Sequence, residues 1–151
     1  TVCTACASSI DAIGTAARLI ADGRADCAIA GGTEGGSVDE GEAVEFVPAT
    51  YYSGNSYGMS SREPDPRRAA LPFDIHRRGI VSGEGSAMLF LERADHARAR
   101  GARIYGVVRG YGTLADAFHP SSPEPTGRWE QRAMELALEE ADITPDAVDA
   151  A

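Results

Sequence analysis

The residues best placed to do chemistry are Thr4-Ala5-Cys6-Ala7-Ser8-Ser9, a cysteine between small side chains where a helical pattern begins. Small neighbours permit a tight turn. A thiol at a helix N-terminus meets free N–H groups and the positive end of the macrodipole, which favour thiolate and can stabilise the oxyanion formed on an attacked carbonyl. The pattern suits nucleophilic acyl transfer. Two other readings stay open: Cys6 as a small apolar core residue, and Cys3 with Cys6 as a Cys-x-x-Cys redox pair or half a zinc site. The last lacks support, because Cys27 is isolated and His76, His96 and His119 lie far off without ligand spacing. Cys27, inside an apolar run, reads as a packing residue.

The elements that must position Cys6 follow from periodicity. Ile10, Ile13, Ala17 and Ile20 predict a helix over residues 8 to 22 with that face buried, stopped by Gly23. Asp26 to Ala30 predicts a short buried strand, with Gly31-Gly32 as the turn after it. From Gly35 to Pro72 the periodicity fails, apart from a short helical pattern over Glu42 to Val47; a stretch of such length inside a domain is expected to be functional. Ser86 to Leu91 is the next strand, Arg93 to Arg100 a helix ended by Gly101, and Ile104 to Tyr111 a further strand. Pro120, Pro123 and Pro125 enforce a loop, and Trp129, Ala133, Leu136, Ala137 and Glu140 place a helix over Gly127 to Ala141. Alternating strands and helices mean a layered α/β architecture.

Composition narrows the function classes. The 151 residues carry 14 basic side chains against 23 acidic, a net charge of -9, which opposes nonspecific affinity for nucleic acid or an anionic membrane surface. Every basic residue is Arg, so Schiff-base lysines and phosphate-loop lysines are excluded within this stretch. No apolar run approaches the roughly 20 residues that span a bilayer, and no charged n-region precedes an apolar h-region at Thr1. With three sparse cysteines the expectation is a cytoplasmic protein with reduced thiols and room for a sizeable core. A start at Thr1 and a stop at Ala151 suggest an internal part of a longer chain.

Taken in order, the motifs resemble those of the β-ketoacyl-acyl carrier protein synthases, the condensing enzymes of fatty acid and polyketide synthesis. Thr4-Ala5-Cys6-Ala7-Ser8 is similar to the family's nucleophile motif, Ala25-Asp26 through Gly31-Gly32-Thr33-Glu34 to its next strand and turn, and Pro72-Phe73-Asp74 with Gly83-Glu84-Gly85 to its central signature. Leu91 through Tyr105 and Asp116-Ala117-Phe118-His119 extend the similarity almost end to end. The resemblance implies an α/β, thiolase-like layered αβαβα fold, with residues 1–92 closing its N-terminal half and 93–151 opening its C-terminal half.

It also implies a decarboxylative Claisen condensation in which Cys6 is the acyl acceptor and its backbone N–H half of the oxyanion hole. The family's catalytic histidines, lysine and second oxyanion donor would lie beyond Ala151, leaving the stretch inactive alone. Substrates would arrive on the phosphopantetheine of an acyl carrier protein, with no metal or bound cofactor, and the enzyme would be a homodimer or pair with a related subunit. His119 and Ser121 fall in a loop similar to one bordering the pantetheine entrance; an ordinary polar loop is the alternative. Asp74, Arg77 and Glu84 match the central signature, as buried pairs or substrate contacts, whereas Arg78 stands where relatives carry an acidic residue. Arg62, Arg67, Arg68, Arg77 and Arg78 could meet an acidic carrier, or simply be solvated and pair with Glu63 and Asp65. Tyr51, Tyr52 and Tyr57 mark an insertion relative to the family and point to altered acyl selectivity. Alternatives are a non-catalytic chain-length partner subunit and a thiolase-like coenzyme A enzyme.

Overall fold

The computed structural model describes residues 1–34, 61, 63–81, 83–119 and 122–150. A 3-10 turn over Ala5–Ala7 leads into α1 (Ser8–Ala21), then β1 (Cys27–Glu34), α2 (Pro66–Ala69), β2 (Gly85–Glu92), α3 (Ala94–Ala99), α4 (Arg128–Ala141) and a 3-10 turn over Pro145–Ala147. The contacts divide the chain into two units, Thr1–Gly32 with Ala87–Ala151, and Thr33–Ser86.

In the first unit, α1 stops as its sequence requires: Gly23 takes φ 69°, and the N–H groups of Gly23 and Arg24 return to Ile20 and Leu19 at 3.1 and 2.9 Å. The helix does not bury the isoleucine face. Ile10 is 61% exposed, and the buried positions are Asp11, Gly14 and Ala16. The reason is Gly14, whose missing side chain lets the ring of Tyr111 lie directly on the helix.

The chain then forms a two-stranded sheet of β1 and β2. Arg93 N–H donates to Asp26 at 3.3 Å while Gly31 lies against Ala87 and Met88, so numbers rise along one strand as they fall along the other and the pair is antiparallel. The expected turn at Gly31-Gly32 is instead the interior of β1. A Cβ on Gly31 would stand 2.8 Å from Met88 Cα, and one on Gly32 2.6 Å from Ser9 Cβ, so these glycines serve close approach rather than chain reversal. Cys27, expected as a packing residue, opens the strand and is exposed.

Ile104 to Tyr111 forms no strand, because among the described residues no neighbouring backbone offers it a ladder. Its end, residues 109–112, lies along α4 instead. Cβ atoms on Gly110 and Gly112 would sit 2.9 Å from Ala141 N and 3.0 Å from Ala137 N, and Arg109 donates to the Ala141 carbonyl at 2.5 Å, capping the helix C-terminus. Left-handed Gly127 and Asp142 bound α4.

In the second unit, Asp65 caps α2 by accepting the Arg67 N–H at 3.0 Å, and its carboxylate grips the Arg67 guanidinium at 2.9 Å, with Pro66 at the first helical position. This is the pairing expected for Arg67; Arg62 and the pattern over Glu42 to Val47 lie outside the described residues. Asp74, Arg77 and Glu84 are exposed, not buried as one of their two readings required. Asp74 closes a turn, accepting the His76 N–H at 2.7 Å.

Across the described residues the buried apolar side chains are Ala16, Ala30, Ala97 and Ala141, and no large side chain is fully buried. The sizeable core expected from composition is absent there. Met88, Leu89 and Phe90 on β2 remain 54%, 49% and 56% exposed, faces of a layered fold whose covering layers the described residues do not supply.

Candidate active site

Cys6 is the middle residue of the 3-10 turn that runs straight into α1, and it is exposed. Ala5, immediately before it, has φ 54°, a left-handed conformation costing a residue with a Cβ on the order of 1 kcal/mol. Side chains hold this bend. Thr4 N–H donates to Ser8 Oγ at 2.9 Å, and Ser8 Oγ donates to the Ala5 carbonyl at 2.6 Å. The first backbone bond of the turn runs from Ala7 N–H to the Thr4 carbonyl at 3.3 Å, so the Cys6 N–H precedes the regular hydrogen bonding of the helix.

Below the bend lies a polar cluster that sequence reasoning missed. Asp11, 6% exposed, is the buried charged residue among the described ones. Its Oδ2 accepts from the Thr4 hydroxyl and its Oδ1 from the Tyr111 phenol. These bonds, Thr4 first, hold its carboxyl below the usual range against the opposing effect of burial. Burial, and then the bond to Asp11, push the Tyr111 phenol up. The Arg18 guanidinium lies 4.9 Å from the centre of the Tyr111 ring and donates at 3.0 Å both to the Tyr111 carbonyl and to Glu140, which also accepts the Tyr111 N–H at 3.0 Å. The available signal was an acidic residue one turn into the helix, flanked at i+3 by Gly14; its partner stands 100 positions away.

The remaining candidates are placed as follows. His119 is exposed beside Phe118, at the end of a turn in which Asp116 accepts the N–H groups of Phe118 and Glu124 at 3.1 and 2.9 Å. Ser121 lies outside the described residues. His96 is exposed. Cys3, Cys6 and Cys27 are free thiols, and the described residues contain no group of His, Cys, Asp and Glu able to hold a metal ion. The open depression lined by Arg18, Tyr111, Gly112, Thr113, Leu136, Glu139 and Glu140 does not include Cys6. No helix of the described residues is long and apolar enough to cross a membrane.

The chain as a whole has counterparts among known proteins. The chain is 41% identical over 146 residues to 3-oxoacyl-[acyl-carrier-protein] synthase 2 of Synechocystis, covering 96% of the chain and 33% of that protein. Among solved structures, a type II polyketide synthase acyl carrier protein in complex with its ketosynthase bound to the hexaketide superposes with TM-score 0.80 at 36% identity, covering 97% of this chain and 34% of that one. The ishigamide ketosynthase/chain length factor superposes with TM-score 0.77 at 34% identity, covering 99% and 33%. The chain therefore spans about a third of the length of the relatives it matches. The expected α/β, thiolase-like architecture holds, as a part of that fold. Residues 1–97 match the beta-ketoacyl synthase N-terminal domain and residues 105–151 the C-terminal domain, so the chain belongs to the β-ketoacyl synthase family.

Proposed function

We propose that the chain is part of a β-ketoacyl-acyl carrier protein synthase of fatty acid or type II polyketide synthesis, with Cys6 as its acyl acceptor. The observation that carries this reading is the presentation of Cys6, exposed in a strained turn at the head of α1. In the first half-reaction the Cys6 sulfur bonds to a thioester carbonyl carbon, the carbon–sulfur bond to pantetheine breaks, and the pantetheine thiol leaves with the proton that Cys6 gives up. In the second, a malonyl thioester loses carbon dioxide. The electron pair left behind becomes an enolate, whose carbon attacks the acyl carbonyl and expels the Cys6 thiolate. A β-ketoacyl thioester is the product.

Exchange of one sulfur for another on a carbonyl is nearly isoenergetic, so the task left to the protein is to stabilise the developing oxyanion. The Cys6 N–H, ahead of the turn's first hydrogen bond, is one donor for it. In this reading the reactive thioesters come on an acyl carrier protein, with no resident metal or cofactor, and His119 and Ser121 border the path of the pantetheine arm. The similarity to a ketosynthase held by its carrier protein supports that partner. A dimer, with itself or a related subunit, and a cytoplasmic location complete the proposal. A partner subunit lacking a nucleophile is disfavoured by the exposed Cys6 thiol.

In the intact synthase supplied with acyl and malonyl carrier-protein thioesters, Cys6→Ala should lower β-ketoacyl product formation at least about 1,000-fold. Cys3→Ala and Cys27→Ala should leave it within about twofold. Undiminished condensation by Cys6→Ala would refute the assignment.

A further inference from the structure

We propose that Asp11 is a positioning residue for Cys6. Through Thr4 it clamps the bend that presents the thiol, and through Tyr111 it ties that bend to the chain running along α4. The inference deepens the acyl-transfer reading and rests on it.

A carboxylate buried to 6% exposure must be met by donors, and Asp11 accepts from the Thr4 hydroxyl at Oδ2 and the Tyr111 phenol at Oδ1, with Thr113 a further side-chain partner. Thr4 is thereby gripped twice from α1, its hydroxyl by Asp11 and its N–H by Ser8 Oγ at 2.9 Å. Ser8 also holds the Ala5 carbonyl at 2.6 Å. The peptide group that follows left-handed Ala5 is therefore fixed by Ser8, the residue before Ala5 by Ser8 and Asp11 together, and Cys6 follows directly. Alanine does not favour that conformation unaided, so loosening the clamp lets the bend relax and carries the sulfur with it.

The far end of the clamp is itself held by contacts. Tyr111 rests on Gly14, where a Cβ would run into its ring, and Arg18 stacks on that ring while binding the Tyr111 carbonyl and Glu140. A displacement of about 1 Å at a reacting atom can cost on the order of 100-fold in rate, so a residue that touches no substrate can govern acylation this way.

The test is single-turnover acylation of Cys6 in the intact synthase by an acyl carrier-protein thioester. Thr4→Val and Asp11→Asn should lower the acylation rate constant about 10- to 100-fold with the concentration dependence on carrier protein unchanged. Thr4→Ser, which keeps the hydroxyl, should stay within about threefold of wild type. Wild-type rates in Thr4→Val, or a loss confined to carrier affinity, would overturn the proposal. Should the wild type accept no acyl group at Cys6, the acyl-transfer reading falls, and positioning is read by iodoacetamide, which needs no carrier. Thr4→Val and Asp11→Asn should then change the Cys6 alkylation rate at least about threefold while Cys27 reacts as before. Unchanged Cys6 alkylation in both variants would overturn the clamp.

Discussion

Ala5 shows most directly how a single backbone angle shapes the candidate site. At φ 54° a β-branched side chain clashes with its own peptide groups, so Ala5→Val should destabilise the folded protein by about 1–3 kcal/mol, whereas Ala5→Gly should be tolerated. Urea unfolding of both variants checks this; equal stabilities would mean the bend is not strained. Cys6 was legible in the sequence because everything that marks it, small neighbours and an incipient helix, lies within a few residues. Asp11 was not. An aspartate amid isoleucines reads as a solvated helix residue until a phenol 100 positions away is seen to meet it.

At the scale of elements, glycines explain both the successes and the misses. The period of α1 and the apolar runs of β1 and β2 locate those elements to within a few residues, as local propensity should. Gly31-Gly32 resembled a turn because turns and close strand approach select the same residue. Ile104 to Tyr111 has strand composition, yet composition cannot supply a ladder partner. Its course is set by Gly110 and Gly112 lying on the α4 backbone. Gly110→Ala or Gly112→Ala should therefore cost about 1–3 kcal/mol in denaturant unfolding of the intact protein, since backbone atoms, not flexible side-chain ends, would have to move. A change below about 0.5 kcal/mol in both would contradict that packing. Gly14→Ala should likewise displace Tyr111 and slow Cys6 acylation if the clamp operates.

For the molecule as a whole, an excess of acid coexists with carboxylates that favour their charged form. Asp11 is lowered by Thr4, Asp65 by Arg67, Glu92 by Arg100, Asp95 by Arg93, Glu135 by Gln131 and Glu140 by Arg18. A carboxyl whose folded value lies below its unfolded one stabilises the fold above the ordinary carboxylate range, near pH 4, and loses that contribution as pH falls through the folded value. Urea midpoints should thus hold between about pH 5 and 8 and fall steadily below about pH 4. A midpoint unchanged down to pH 2 would contradict the hydrogen bonding assigned to these groups. Tyr111, raised, acts at the other end: its contribution is complete below the ordinary phenol range and is lost as pH climbs through its higher folded value. All of this concerns stability; the chemistry stands on one sulfur. The most direct measurement is to load the intact synthase with an isotope-labelled acyl group from its carrier-protein thioester, digest it and weigh the peptides. The label should sit on the peptide containing Cys6 and vanish in Cys6→Ala; label on any other side chain, or surviving that substitution, would contradict the account.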